Sequence, residues 1–355
     1  MWIGRNSRSS PEASYEPNFM SLMIGIPGTR LDASSRAWLR HPNVESLILF
    51  ARNYQSREQL AQLLSEVRSV RPSLIVAIDQ EGGPVQRLRH GFTALPALAE
   101  IGSLFVRNAR LGIKACRLHA RLMVCEVRAA GIDISLAPVA DLGRGNRAIG
   151  SRAFASDPLA TAKLSAHYVS AMQDYGMAAT LKHFPGHGSV LEDTHFDFAI
   201  DRRALPELIA SDLLPFAVGI GAGARAVMMA HVCYPDLDPL AAGYSRLWLQ
   251  HVLRAQLGFQ GVIMGDDISM AAGASAGSIQ ERVLQHYLAG CDLVLACQPD
   301  AVEAALQAPC VKLGARHAQS LRAAGESFPT AERMSKMVPR WSQQLGRLLD
   351  AQSSA

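Results

Sequence analysis

Short apolar segments rich in Val, Ile and Leu recur along the chain from residue 20 to residue 298. They read SLMIGI (21–26), VESLILF (44–50), SLIVAID (73–79), IDISLAPVAD (132–141), MAATLKHF (177–184), RAVMMAHVC (225–233), GVIMGDD (261–267) and CDLVLACQ (291–298). Their apolarity is continuous rather than alternating, as in strands buried on both faces of a parallel sheet. Helix-patterned stretches lie between them. The clearest is 107–130, where Leu111, Ala115, Leu118, Leu122, Cys125 and Ala129 step by four and three, and Gly131 is placed to end it in the left-handed region. Similar patterns fill roughly 57–70, 157–175, 204–219, 245–256 and 278–289, with Asp157-Pro158 and Ser245 as expected helix starts. Residues 330–350 read as a closing amphipathic helix.

Eight strands alternating with helices predict an α/β fold, a single (β/α)8 TIM-type barrel with parallel strands. A doubly wound open sheet is the alternative. The strand count weighs against it, and so does EGGPVQRL (81–88), which is no GxGxxG loop and carries a proline where phosphate would need backbone donors. Residues 5–17 are rich in Ser, Pro, Arg and Glu. The expected organisation is a poorly ordered tail over 1–19 and a catalytic domain over 20–355 that includes the C-terminal helices.

Composition narrows the function classes. The 355-residue chain is 49% hydrophobic and 19% charged, ordinary for a globular protein. Its net charge of +4 is small, with no dense Lys/Arg block, so no nucleic-acid partner is expected. Six cysteines lack CxxC or paired spacing and read as thiols in a reducing compartment. The N-terminus lacks an apolar leader, and no run of about 18 apolar residues occurs. A cytoplasmic monomer with no membrane partner and a small-molecule substrate is expected.

The chemistry lies in where polar residues fall. Asp79, Asp141, Lys182-His183, His231 and Asp266 each sit at or just past the C-terminal end of an apolar segment. In a barrel those ends converge on the face that carries active sites. A single charged strand end is more often a helix cap or a solvated residue; five at the same end point to a site. Asp266 and Asp267 point to opposite sides in extended chain, so one faces the barrel mouth and the other caps a helix near Ser269 or Met270. In Asp193-Thr194-His195, positions i and i+2 share a side, and Asp193 can orient the His195 imidazole for proton transfer. Spacing alone slightly favours an ordinary surface pair there. His183 and His187 have the i, i+4 spacing of metal ligands on a helix, but Pro185 and Gly186 between them disfavour a helix and no metal is expected. No cofactor loop is present either. Two carboxylates with a His suggest hydrolysis of a polar, uncharged substrate, whose hydroxyls or acyl group Asp79, Arg87, Arg152 and Lys182 would bind.

AIDQEGGPVQR (77–87), AIGSRAF (148–154), KHFPGHG (182–188), DTH (193–195), MMAHVCYPD (228–236) and GFQGVIMGDDISM (258–270) together resemble the NagZ-type β-N-acetylglucosaminidases of glycoside hydrolase family 3. The resemblance runs from about residue 20 to about residue 310, in the family's order. It implies a cytoplasmic barrel that removes terminal N-acetylglucosamine from N-acetylglucosaminyl-1,6-anhydro-N-acetylmuramic acid in peptidoglycan recycling. It also implies retention of configuration through a covalent glycosyl-enzyme. Carried over by motif, Asp266 is the nucleophile and His195 the acid/base, assisted by Asp193. Sugar binding falls to Asp79, Arg87, Arg152, Lys182, His183 and His231. Such a division of labour matches retaining hydrolysis, with histidine in the role more often held by a carboxylic acid. The chain departs from the family pattern at Pro84, usually Arg, and at Gly265, usually Ser or Thr. Two other functions compete: a phosphorylase that passes the glycosyl group to phosphate, and a non-catalytic amino-sugar binder, against which the trio Asp266, Asp193 and His195 argues.

Overall fold

Eight parallel strands form the frame of the molecule: β1 (Ser21–Ile24), β2 (Val44–Leu49), β3 (Ile75–Ile78), β4 (Ile134–Ser135), β5 (Thr180–Phe184), β6 (Ala226–Met229), β7 (Val262–Gly265) and β8 (Leu293–Ala296). This computed structural model describes residues 21–192, 199–270, 276–309, 318–322 and 329–350. The strands lie in the order β4-β3-β2-β1-β8-β7-β6-β5. The first and last strands of the chain are neighbours, with Ser21 opposite Leu293 and Ile24 opposite Ala296. The ring closes between β4 and β5 through the parallel bridge Val139–Lys182 and the bond from Ala140 N–H to the Lys182 carbonyl, 2.7 Å. The expected (β/α)8 barrel is the fold observed.

Continuous apolarity has its reason here. Met23, Ile48, Ile75, Ala77, Ile134, Met228, Val262, Met264, Leu293 and Leu295 form one buried cluster, the barrel interior. The alternate residues Leu22, Ile24, Leu47, Leu49, Val76, Ile78, Val227, Met229, Ile263 and Val294 join the second cluster with the surrounding helices. Period-2 geometry sends neighbours to opposite faces, and both faces are dry.

Helices follow the predicted pattern with informative exceptions. Leu98–Arg107 and Ala109–Ala129 meet at Asn108, whose backbone ends the first and whose side chain caps the second by accepting from Leu111 N–H at 3.1 Å. Gly131 follows the second at φ +89°, as expected of a helix terminator. Asp157 caps Pro158–Asp174 by accepting from Ala160 N–H at 2.7 Å. The stretch expected as one helix over 204–219 is two, Leu205–Ala210 and Leu213–Gly221. Between them the Ser211 hydroxyl donates to the Glu207 carbonyl, and Asp212 is committed to Arg203 and Ser189. The segment 132–141 gives a two-residue strand and, beyond Pro138, which has no N–H to donate to a ladder, the single bridge Val139–Lys182. Leu247–Gln256 is wound as a π-helix. The closing helix Ala331–Asp350 packs on Ala109–Ala129, with Trp341 edge-on to Tyr175 at 5.6 Å. No helix among the described residues is long and apolar enough to cross a membrane. The expected tail over 1–19 lies outside the described residues.

Candidate active site

A cavity of about 410 Å³ opens at the C-terminal ends of the strands, lined by Asp79, Arg87, Arg152, Lys182, His183, Asp266 and Asp267 among others. Six of the candidate residues therefore meet at one place. His231 lies in a small adjoining recess of about 10 Å³ that it shares with His183, His187 and Asp266. Asp193 and His195 lie outside the described residues.

One wall is an ion network. Asp79 follows β3, and the chain then turns through a short hairpin, Gln80–Gly82 against Val85–Gln86. The Gln80 side chain fixes the returning strand by accepting from the N–H groups of Arg87 and Leu88, both at 3.0 Å. That return brings Arg87 to Asp79 at 3.4 Å, and Pro84 sits at the exposed hairpin tip without disturbing the contact. Lys182, midway along β5, donates to Asp79 at 2.7 Å and pairs with Glu81 at 2.5 Å. Arg152 grips Glu81 through Nε and Nη2, each at 2.8 Å. Burial by itself would raise the Asp79 carboxyl, but Lys182 and Arg87 overcome it and hold the group well below the usual carboxylate range. For Glu81 the same opposition resolves the same way, with Arg152 foremost. Lys182 is raised in spite of burial, because two carboxylates face it. The result is a rigid array of ionised donors and acceptors suited to sugar hydroxyls.

A second network orients the histidines. Asp141 is buried, and its Oδ2 accepts from His183 Nδ1 at 2.7 Å and from His183 N–H at 3.1 Å. Its Oδ1 accepts from His187 N–H at 2.7 Å. His183 lines the cavity with its Nδ1 held by Asp141, while burial pushes the His187 pKa down to about 4. His183 and His187 are not on a helix, and among the described residues no group of three or more His, Cys, Asp or Glu is placed to hold a metal.

The opposite wall carries the paired aspartates. Asp266 follows β7 directly, and its Oδ1 accepts from the Asp267 amide at 2.8 Å. Asp267 is bound down. Its Oδ1 accepts from the N–H groups of Ser269 and Cys297, both at 3.1 Å, and its Oδ2 takes the Ser269 hydroxyl at 2.6 Å. Asp267 closes the turn that follows β7 and ties β7 to the end of β8; no helix begins at Ser269 or Met270 among the described residues, and the next α-helix, Ile279–Ala289, is capped by Ser278. Asp266 lines the cavity across the barrel from the ion-paired wall.

Glu81 and Asp141 hold this site together; the strand-end pattern points to Asp141 without giving it a task, and it passes over Glu81. Asp79 and Glu81 stand two apart in extended chain, a spacing that puts both on one side and could have flagged Glu81. Asp141 joins His183 and His187 across 42 and 46 residues, which no local pattern reveals.

Comparison with known proteins places this geometry. Residues 20–326 match the model of the glycosyl hydrolase family 3 N-terminal domain. A β-hexosaminidase of Stenotrophomonas maltophilia is 54% identical over 288 residues, 81% of this chain and 86% of that protein. The crystal structure of native NagZ from Neisseria gonorrhoeae superposes with a TM-score of 0.85 at 36% identity, covering 93% of this chain and 98% of that one. The same protein in complex with N-trifluoroacetyl-D-glucosamine gives a TM-score of 0.85 at 37% identity, with the same coverage of both chains. The chain belongs to glycosyl hydrolase family 3, as a glycosidase of its β-hexosaminidase kind.

Proposed function

We propose that the protein is a retaining exo-β-N-acetylglucosaminidase. Its substrate in this reading is N-acetylglucosaminyl-1,6-anhydro-N-acetylmuramic acid, with or without peptide, released in peptidoglycan recycling. The observation that carries it is the make-up of the cavity: Asp79 and Glu81 are ion-paired with Lys182, Arg87 and Arg152 on one wall, and Asp266 lines the cavity with its Oδ1 accepting from the Asp267 amide. An oriented carboxylate opposite a hydroxyl-binding wall is what attack on an anomeric carbon needs. The amino-sugar ligand of the gonococcal protein supports the substrate class.

Asp79, Lys182, Arg87, Arg152, His183 and His231 bind the terminal sugar. Asp266 attacks its anomeric carbon, the bond to the leaving oxygen breaks, and His195 gives that oxygen a proton. His195 then takes a proton from water as the glycosyl-enzyme is hydrolysed, with Asp193 holding the imidazole and balancing its charge. Two inversions return the β-configuration. Unbridged thiols at Cys116, Cys125, Cys233, Cys291 and Cys297 fit work in the reducing cytoplasm.

Proton NMR of the products, with and without inorganic phosphate, tests this reading. Release of β-N-acetylglucosamine from the disaccharide, independent of phosphate, is the expected result. Accumulation of N-acetylglucosamine 1-phosphate would make the enzyme a phosphorylase. Initial release of the α-anomer would exclude a retaining mechanism.

A further inference from the structure

The residue before Asp266 is a glycine, and the space a side chain would fill there is taken by His286. An added Cβ at Gly265 would lie 2.8 Å from both Cε1 and Nδ1 of that imidazole and 3.1 Å from its Cγ. A second glycine bounds the ring from another element: a Cβ at Gly243 would lie 2.7 Å from His286 Cε1. Gly265 and Gly243 both have ordinary negative φ, so backbone conformation does not demand glycine at either place. The ring does. His286 comes from the last turn of the helix Ile279–Ala289 and is completely buried.

Aromatic contacts fix the ring further. Tyr244 lies at 4.4 Å between centroids, and His231 at 5.9 Å in an edge-on arrangement. His231 in turn approaches the Asp267 carbonyl at 3.3 Å. The imidazole is thus wedged behind the backbone of Gly265 and reaches, through His231, the carbonyl of Asp267. Burial and the nearby His231 push its pKa down to about 3, so at neutral pH it adds no charge behind the carboxylate.

We propose that His286 is the positioning residue of the nucleophile: its ring, seated in the slot left by Gly265 and Gly243, sets where the end of β7 holds the Asp266 carboxylate. The proposal rests on Asp266 being the nucleophile. Removing the ring leaves a void against the strand end that carries Asp266, and adding a methyl at Gly265 drives ring and strand apart. Each change displaces the carboxylate, and the two together offset one another in volume.

Three variants test it: His286→Ala, Gly265→Ala and the pair. Each is assayed for folding by circular dichroism and urea unfolding, for kcat and KM on a chromogenic N-acetyl-β-glucosaminide, and for trapping by a fluorinated N-acetylglucosaminyl fluoride. Both single variants should lose on the order of 10- to 100-fold in kcat and in trapping rate, the penalty of a reacting atom misplaced by about an ångström. KM should change less than kcat, since the ion-paired wall of Asp79, Arg87, Arg152 and Lys182 is untouched and, of the sugar-binding residues, only His231 meets the ring. The pair should recover at least about tenfold of the Gly265→Ala loss, a coupling expected of residues in contact. Unchanged kcat in a folded His286→Ala, or additive losses in the pair, would overturn the proposal. Should His286→Ala fail to fold, Gly265→Ala alone decides, because unchanged kcat with a methyl pressed on the ring contradicts it equally. Mass spectrometry of the wild-type adduct separates the two claims. An adduct elsewhere than Asp266 refutes the nucleophile, whereas an adduct on Asp266 with insensitive variants refutes only the role of His286.

Discussion

Replacing Glu81 with glutamine removes one negative charge from the most densely ionised part of the site while nearly preserving shape. Glu81 is 1% exposed and takes three charge-assisted contacts, two from Arg152 at 2.8 Å and one from Lys182 at 2.5 Å. Charge-assisted hydrogen bonds contribute about 1.5–3 kcal/mol each, so the gross loss would be several kcal/mol. Part of it is offset. The amide oxygen can still accept from one donor, and Lys182 keeps Asp79 at 2.7 Å. The amide NH2, however, is turned toward a cation's N–H. Breaking a buried pair by removing one partner costs about 3–5 kcal/mol, and that range is the expectation for Glu81→Gln. Urea unfolding read by circular dichroism measures it as a lower midpoint at unchanged slope. Because Arg152 and Lys182 also line the cavity proposed to take the sugar, KM should rise with the loss of stability. A variant within about 1 kcal/mol of wild type, as for a surface ion pair, with unchanged KM would refute the reasoning.

Asp141→Asn should cost about 2–3 kcal/mol, because an amide NH2 would confront one of three N–H donors now held by the carboxylate; thermal unfolding checks this, and KM should rise as His183 loses its orientation. Stability should fall on mild acidification. Burial holds His119 and His187 at about 4 and His286 at about 3, against about 6.5 in the unfolded chain. Protons therefore bind the unfolded chain first, so stability complete above about pH 6.5 is lost as pH falls toward 4, at about 2 kcal/mol per histidine by pH 5. A melting temperature that is flat from pH 7 to pH 5 would contradict this.

The barrel was legible because both faces of its strands are buried: the inward Met23, Ile75 and Met264 and the outward Leu22, Val76 and Ile263 leave no polar alternation to obscure the segments. Helix limits were readable where a local device sets them, as at Asp157 and Gly131. They were missed where a tertiary partner does, as at Asp212, which serves Ser189 and Arg203. The site divides along the same line. Strand-end positions gave Asp79, Lys182, His183 and Asp266, since chain order alone puts them on one face. The histidine-orienting role of Asp141 and the place of His286 behind Gly265 depend on contacts between distant segments. Gly265 looked like the loss of a hydroxyl; it is the space the His286 ring occupies.

The central claim is that the Asp266 carboxylate attacks the sugar. Trapping the wild-type enzyme with a fluorinated N-acetylglucosaminyl fluoride and locating the adduct by peptide mass spectrometry, alongside turnover of a chromogenic N-acetyl-β-glucosaminide by wild type and Asp266→Ala, tests it directly. The expected result is one glycosyl group on Asp266 and turnover abolished in the variant. An adduct on another residue, or a variant that turns over at the wild-type rate, would contradict the account.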